Sequence, residues 1–212
     1  MAAIRVVLLP GAKDDPGYWS AVERALPRRT KALTLFWPAL SAGSKAFSLQ
    51  QGAEAAASAM QASGVTTATI CGVGVGALVA LQLAADHPDR VQSLVLATRQ
   101  VGLSPILLSL PAAALRLLPA RTVQRLGAGP EQVLALLDQA RPVDFSALAA
   151  RVHCPTVVLC GARDRLNRRG SATLARTLPH GQLELIPRAG AEWLSERPEL
   201  LAEALSSSGS PT

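Results

Sequence analysis

Short apolar runs alternate along this chain with longer segments in which apolar and polar residues are mixed. The first run, Ile4–Leu9, consists mostly of leucine and β-branched residues and is closed by Pro10 and Gly11, which is typical of a strand buried on both faces of a parallel sheet. The same pattern predicts five more strands, at Leu33–Phe36, Ala68–Cys71, Leu94–Ala97, Thr156–Cys160 and Leu183–Ile186. The chain therefore predicts a sheet of about six strands.

Helical patterns fill the gaps between these runs. One helix opens at Pro16 and carries Trp19 on its apolar face, and two more are predicted at Leu49–Ala62 and Val75–Ala85. Strands that alternate with helices at this spacing indicate right-handed βαβ units. We therefore expect a three-layer α/β fold, in which a mainly parallel sheet has helices on both faces.

The alternation breaks down after Thr98. Residues 101–142 contain leucine- and alanine-rich helical pieces broken by prolines and glycines, and they follow the carboxyl end of a strand, where open α/β sheets bind ligands. We interpret 101–142 as a small helical lid between two parts of one core, residues 1–100 and 143–206, and residues 207–212 as a disordered tail. The alternative is that these helices simply complete the core.

The amino-acid composition restricts the class of protein to which the chain can belong. With 212 residues, 49% hydrophobic and 17% charged, the chain fits one folded domain. The net charge of +6 comes from dispersed arginines and aromatic residues make up only 3%, so we expect no nucleic-acid partner. The longest apolar stretch, Val101–Leu115, is interrupted by Pro105 and Pro111 and is shorter than the ~20 residues of a membrane span, so no span is predicted.

The cysteines give a further constraint. There are three of them, with no C-x-x-C spacing and no histidine at ligand spacing, which argues against a disulfide framework and against a metal site. This usage favours a reducing, cytoplasmic location. The sequence leaves a homodimer open as the state of assembly.

A glycine-dense turn joins the third predicted strand to the helix that follows it. The sequence Cys71-Gly72-Val73-Gly74-Val75-Gly76 has the layout of a nucleophile elbow, G-x-S-x-G, in which the outer glycines let strand and helix approach closely around a sharply bent central residue. Here the central residue is Gly74, which has no side chain to act as a nucleophile. The backbone geometry of the motif is therefore predicted without its chemistry.

The same turn also matches the dinucleotide fingerprint G-x-G-x-x-G/A through Gly72, Gly74 and Ala77. That fingerprint normally occupies the first βα turn and needs an acid at the end of the next strand, where this chain has Arg99. Arg99 would suit a 2′-phosphate, but the match is weaker than the elbow pattern. We expect no cofactor.

Four stretches, in the same chain order, resemble the α/β-hydrolase superfamily, and together they cover nearly the whole chain. They are Leu8-Leu9-Pro10-Gly11-Ala12, the elbow with its continuation Ala85–Val91 and Leu94–Leu96, the acid loop Cys154–Asp164, and Leu185–Trp193 with Glu196–Glu199. The resemblance implies that the backbone N–H groups of Ala12 and Val75 form an oxyanion hole and that Asp164 stands at the position of the triad acid. It also implies that the nucleophile and histidine positions are held by Gly74 and Ala191.

No other histidine is expected to replace the missing base. His87, His153 and His180 all lie in turns that lead into strands, at the amino ends of the sheet, whereas the elbow and acid loops lie at the carboxyl ends. Asp164, if buried without its usual partner, would have a raised pKa and become a candidate general acid or base. The alternative is that a neighbouring arginine, Arg163 or Arg165, or solvent exposure cancels that effect.

Three functional hypotheses follow. The first is a non-hydrolytic, cofactor-independent enzyme (cyclase, isomerase or lyase) acting on a small apolar carbonyl compound; the second is a catalytically inactive protein that binds a small molecule or a protein partner. The third, an active serine hydrolase, is set aside unless Gly74 and Ala191 are engineered changes. The residues expected to contact the substrate are Gly11, Trp19, Arg99, Leu103, Leu107 and Trp193.

Overall fold

The computed structural model describes residues 4–11, 16–35, 48–97, 145–165 and 167–208. Its six strands form one sheet in which every neighbouring pair is parallel. The strands are β1 (Ile4–Leu9), β2 (Thr30–Thr34), β3 (Ala68–Val73), β4 (Val91–Ala97), β5 (Thr156–Gly161) and β6 (Gly181–Ile186). Their order across the sheet is β2-β1-β3-β4-β5-β6, which confirms the predicted parallel sheet of about six strands.

Helices cover both faces of this sheet. The described α-helices are α1 (Pro16–Ala25), α2 (Leu49–Ala62), α3 (Val75–Asp86), α4 (Phe145–Ala150), α5 (Arg168–Thr177), α6 (Trp193–Glu196) and α7 (Pro198–Ser208). Buried residues of α2, α3, α4 and α5 share one apolar cluster with one face of the sheet, and buried residues of α1, α6 and α7 share another with the opposite face. The fold is therefore the predicted three-layer arrangement.

The central strands are apolar along their whole length because both of their faces are covered. All six residues of β3 are buried, and so are all residues of β4 except Gln92. The hydroxyl groups of Thr69 and Ser93 lie in register on these strands and are 2.9 Å apart, so the polar atoms in this interior satisfy one another. This packing fixes the position of the turn that follows β3.

The second strand is the one whose predicted position was wrong. It was placed at Leu33–Phe36, but the structure has it at Thr30–Thr34, and Phe36 lies outside the described residues. β2 is an edge strand with Lys31 and Ala32 exposed, so its amino-terminal half carries no apolar run. In such a strand, only the better-buried end has the continuous apolar residues from which a strand is predicted.

The predicted lid, residues 101–142, lies outside the described residues, and so do residues 209–212 of the tail that was predicted at 207–212. Ser207 and Ser208, the first two residues of that tail, are the last two residues of helix α7, so the helix continues further than predicted. The division of the chain into core and lid stays a prediction. Within the described helices, none is long and apolar enough to cross a membrane.

Candidate functional site

The connection order of the strands places a crevice at the carboxyl end of β3. From β1 the chain runs outward to β2 on one side, and then returns to β3 on the other side of β1. In open parallel sheets, ligands bind at such a reversal, outside the carboxyl ends of the two strands that flank it. Gly74 follows β3 directly, so the elbow lies at the topological switch point.

Gly74 has a backbone conformation that L-residues rarely adopt. Its φ is 57° and its ψ is −121°, which agrees with the sharply bent central residue that the elbow pattern predicts. Any side chain at this position would strain the backbone by about 1 to 3 kcal/mol. The turn has therefore kept the shape of a nucleophile elbow, although no nucleophile occupies it.

The outer glycines of the motif are required by close backbone contacts. A Cβ atom on Gly72 would lie 2.5 Å from Cα of Ala77, and one on Gly76 would lie 1.9 Å from the backbone oxygen of Leu9. Both distances are far below van der Waals contact, so neither position accepts a larger residue without movement of the backbone. The contact with Leu9 also brings the end of β1 against the start of α3.

Val75 is the first residue of α3, and its backbone N–H therefore precedes the first intrahelical hydrogen bond. Such a group, at the positive end of the helix dipole, is free to donate to a ligand oxygen. Ala12, the other expected oxyanion donor, lies outside the described residues. Gly11, which comes directly before Ala12 in the chain and two residues past Leu9, is described and is half-buried.

Asp164 lies in the loop between β5 and α5 and is only 4% exposed. Its Oδ1 accepts a hydrogen bond from the backbone N–H of Asn167 at 3.1 Å, and its Oδ2 accepts one from Nδ2 of Asn167 at 2.7 Å. Asp164 is therefore buried without its usual histidine partner, but its carboxylate is hydrogen-bonded to Asn167, while Arg163 and Arg165, the partners considered from the sequence, are both exposed. The sequence did not predict this partner, because Asn167 carries no charge and its hydrogen bonds depend on how the loop folds.

The loops that carry the acid and histidine positions are in direct contact. The backbone N–H of Arg163 donates to the oxygen of Ala189 at 2.9 Å. A Cβ atom on Gly161 would lie 2.4 Å from the oxygen of Gly190, the residue just before Ala191. The structure therefore brings Asp164 and Ala191 to neighbouring loops at the carboxyl edge of the sheet, as the family pattern implies.

The three histidines of the chain lie at the opposite edge. His87, His153 and His180 precede β4, β5 and β6, respectively, and Nε2 of His87 is 3.2 Å from Oε1 of Glu54. Because the chain has no other histidine, no imidazole base is available at the elbow. This result agrees with the sequence prediction.

The cysteines offer no nucleophile at the elbow either. Cys71 and Cys160 are fully buried within β3 and β5. Cys154 lies before β5, at the amino edge, where burial raises the pKa of its thiol and disfavours the reactive thiolate. Among the residues that the structure describes, no group of three or more His, Cys, Asp or Glu side chains is placed to hold a metal ion.

Two of the expected substrate contacts lie in the core. Trp19 and Trp193 are each 1% exposed and belong to the apolar cluster that includes Val73 and Ala97 at the ends of β3 and β4. The indole N–H of Trp19 has no hydrogen-bond acceptor within the described part of the chain. Contact of these side chains with a substrate stays a prediction, and Arg99, Leu103 and Leu107 lie outside the described residues.

This arrangement, an elbow at the switch point with an acid loop and a third loop beside it, defines the α/β-hydrolase fold. Solved structures with this fold match the chain. A carboxylesterase of Nitrososphaera gargenis matches with a TM-score of 0.71 at 13% identity, over 97% of this chain and 89% of the other. MGS-M2, an α/β hydrolase from a Medee basin deep-sea metagenome library, matches with a TM-score of 0.71 at 16% identity, over 99% and 90%.

Sequence comparison gives a nearer relative. The chain is 30% identical over 223 residues to "Putative carbamate hydrolase RutD" of Klebsiella pneumoniae strain 342, an alignment that covers 87% of this chain and 83% of the relative. The protein of the same name from Enterobacter cloacae is 27% identical over equal shares. No family model matches the chain. The chain belongs to the α/β-hydrolase superfamily, and its named sequence relatives are RutD proteins.

Proposed function

We propose that this protein is a non-hydrolytic, cofactor-independent enzyme of the α/β-hydrolase fold that acts on a small apolar carbonyl compound at the elbow. The carbonyl oxygen binds at the amino end of α3, where the Val75 N–H is one donor and the Ala12 N–H is the second. Cyclisations, isomerisations and eliminations that pass through an enolate develop negative charge on the carbonyl oxygen; the proton that is removed goes to Asp164 or to water, and no nucleophilic side chain is needed. Such donors stabilise that charge directly.

The observation that carries this proposal is the backbone of Gly74. Its positive φ and its ψ of −121° keep the sharp turn that aims the start of α3 at the crevice. Removal of one oxyanion-hole donor in a hydrolase costs about 2.7 to 4 kcal/mol of transition-state stabilisation, so a retained donor is a large part of a catalytic site. Because Gly74 has no side chain, the space that a nucleophile would fill is open to the substrate.

The named relatives support the class of substrate but not the reaction. RutD proteins are named as carbamate hydrolases, and a carbamate is itself a carbonyl compound. Hydrolysis by the family mechanism needs a nucleophile and a base, and this chain has Gly74 and Ala191 at those positions. Losing both leaves only the residual catalysis that binding and the oxyanion hole supply.

A second candidate function, a catalytically inactive protein that binds a small molecule, is favoured by the state of Asp164. Both of its carboxylate oxygens accept hydrogen bonds from Asn167, so the carboxylate is held as a structural group. Under this alternative the crevice binds a carbonyl compound in the same pose, and no product forms. Both functions require the carbonyl compound to bind in the crevice, but only the enzyme converts it to a product.

The test removes the Val75 N–H, and a control variant accounts for the change in side chain. Proline is tolerated at the first position of a helix and has no N–H, so Val75→Pro deletes the donor, while Val75→Ala keeps it and trims the side chain. With phenyl carbamate and 2-heptanone as probes, we expect Val75→Pro to weaken binding by about tenfold, the effect of losing one good hydrogen bond. Val75→Ala serves as the matched control.

Equal affinities for the two variants would contradict carbonyl binding at α3. Liquid chromatography coupled to mass spectrometry then separates the two functions. A new chromatographic peak with the mass of the ligand, or fragments that together have that mass, supports the enzyme; recovery of the ligand as its original peak alone supports the binding protein. Fragments that have gained one water molecule would contradict both proposals.

A further inference from the structure

Five exposed arginines lie in the two segments that follow β5 and β6 at the carboxyl edge of the sheet. Arg163 and Arg165 follow β5, Arg168 and Arg169 open α5, and Arg188 follows β6. We refer to these five residues as the arginine rim. Within residues 162–170 and 187–190, the two loop segments that carry them, the sequence has a single acid, Asp164.

Backbone hydrogen bonds hold the two halves of the arginine rim together. The N–H of Ala162 donates to the oxygen of Ile186 at 3.0 Å, and the N–H of Arg163 donates to that of Ala189 at 2.9 Å. Arg163 is thereby bonded to the residue next to Arg188. These hydrogen bonds extend the pairing of β5 and β6 into the loops that follow them and so keep the two loops side by side.

The positive charge of the rim is not balanced within the described part of the chain. None of the five guanidinium groups forms an ion pair with a described carboxylate, and the polar side-chain contact that is present runs from Nη1 of Arg168 to the oxygen of Ala162 at 3.5 Å. The one acid in these segments, Asp164, is buried and bonded to Asn167. The arginines are thus available to an external anion.

The backbone conformation of Arg188 is an independent indication that its side chain has a function. It is the one described residue other than glycine with a positive φ, 61°. It is the third residue of a turn closed by a hydrogen bond from the N–H of Ala189 to the oxygen of Ile186 at 3.3 Å, with Pro187 in second place. Turns of this kind prefer glycine or asparagine at the third position, and an arginine there strains the backbone.

We propose that the arginine rim binds a phosphate dianion. Guanidinium groups present paired N–H donors that match phosphate oxygens, and several of them on adjoining loops give more than one such contact. The rim lies two to three strands away from β3, which is roughly 10 to 14 Å at the spacing of neighbouring strands. The phosphate is either a free ion or the phosphate group of a larger molecule whose other end reaches the elbow.

Phosphate binding by the purified full chain tests the proposal without any assumption about catalysis. Titration calorimetry with inorganic phosphate at about 20 mM salt, where surface charges are weakly screened, should give a Kd below about 1 mM. We expect Arg163→Ala/Arg188→Ala to weaken binding by about tenfold. The matched control is Arg28→Ala/Arg29→Ala, which removes two exposed arginines from the turn before β2, at the amino edge.

Equal losses in the two double variants would show that only net charge matters and would overturn the proposal, as would the absence of phosphate binding by the unaltered protein. Hexyl phosphate then identifies the source of the phosphate. Binding about tenfold tighter than that of inorganic phosphate indicates a phosphorylated organic molecule, and equal binding indicates the free ion; either result keeps the rim as the site.

The variant Arg188→Gly gives a readout that a structural role for this arginine would not produce. Glycine accepts the positive φ of residue 188, so the melting temperature should stay the same or rise, while phosphate affinity falls at least threefold. A lower melting temperature with unchanged phosphate affinity would show that Arg188 supports the turn, and would overturn its place in the site.

Discussion

The backbone oxygen of Leu9 lies 1.9 Å from the point where a Cβ atom on Gly76 would be. The end of β1 and the start of α3 are thus packed backbone to backbone, with no room for a methyl group. This contact sets the position of the Val75 N–H relative to the loop that carries the expected second donor, Ala12. The geometry of the proposed carbonyl site therefore depends on a glycine that has no chemical role.

Gly76→Ala should destabilise the protein by about 3 kcal/mol or more, because the atoms in the way belong to the backbone and cannot rotate aside. Urea unfolding measures the loss. Gly170→Ala is the control, since no atom lies within 4 Å of its added Cβ in helix α5. There we expect no loss, and up to about 1 kcal/mol of gain. Similar stabilities for the two variants would contradict the close approach.

Gly74→Ser should cost about 1 to 3 kcal/mol, because a serine at this position must adopt the strained φ that glycine accepts freely. For a chain of this length about 1 kcal/mol corresponds to a fall of 2 to 4 °C in melting temperature, which calorimetry resolves. Gly170→Ser, at an ordinary helical position with open space, controls for the added hydroxymethyl group. A melting temperature unchanged by Gly74→Ser would mean that the turn is not strained.

Asp164 and Asn167 should be energetically coupled. Two hydrogen bonds join them, and both residues are buried, so removing either partner leaves polar atoms unsatisfied. In a double-mutant cycle with Asp164→Ala and Asn167→Ala, we expect each single change to cost about 1 to 3 kcal/mol and the coupling energy to be about 1 kcal/mol or more. Additive losses would show that the pair does not act as a unit.

Most of the fold could be predicted because its signals are strong and local. The apolar runs of β1 and β3 and the helix at Leu49–Ala62 follow directly from residue patterns, and the helix has the predicted bounds. Ser48 and Gln51 form a capping box at its start, a device that is itself written in the sequence. β2 was misplaced because an edge strand needs few apolar residues.

The site could be predicted in its backbone but not in its side-chain contacts. Gly72, Gly74 and Gly76 predict the elbow, since each is required by a φ angle or by a backbone contact. Residue types alone do not predict the hydrogen bonds between Asn167 and Asp164 or the strained backbone of Arg188. Both features depend on the conformation of a loop. Four of the five rim arginines are already close together in the sequence, at residues 163–169, and the fold adds Arg188 to them by pairing the loop after β6 with the loop after β5.

A fluorophosphonate probe, read out by intact-protein mass spectrometry, tests most directly whether the elbow has intact geometry and no nucleophile. The unaltered protein should remain unlabelled. Gly74→Ser/Ala191→His, which restores a nucleophile and a base beside Asp164, should become labelled once at position 74, because the backbone already holds the geometry of the elbow. Labelling of the unaltered protein at any serine, or no labelling of a folded double variant, would contradict the account.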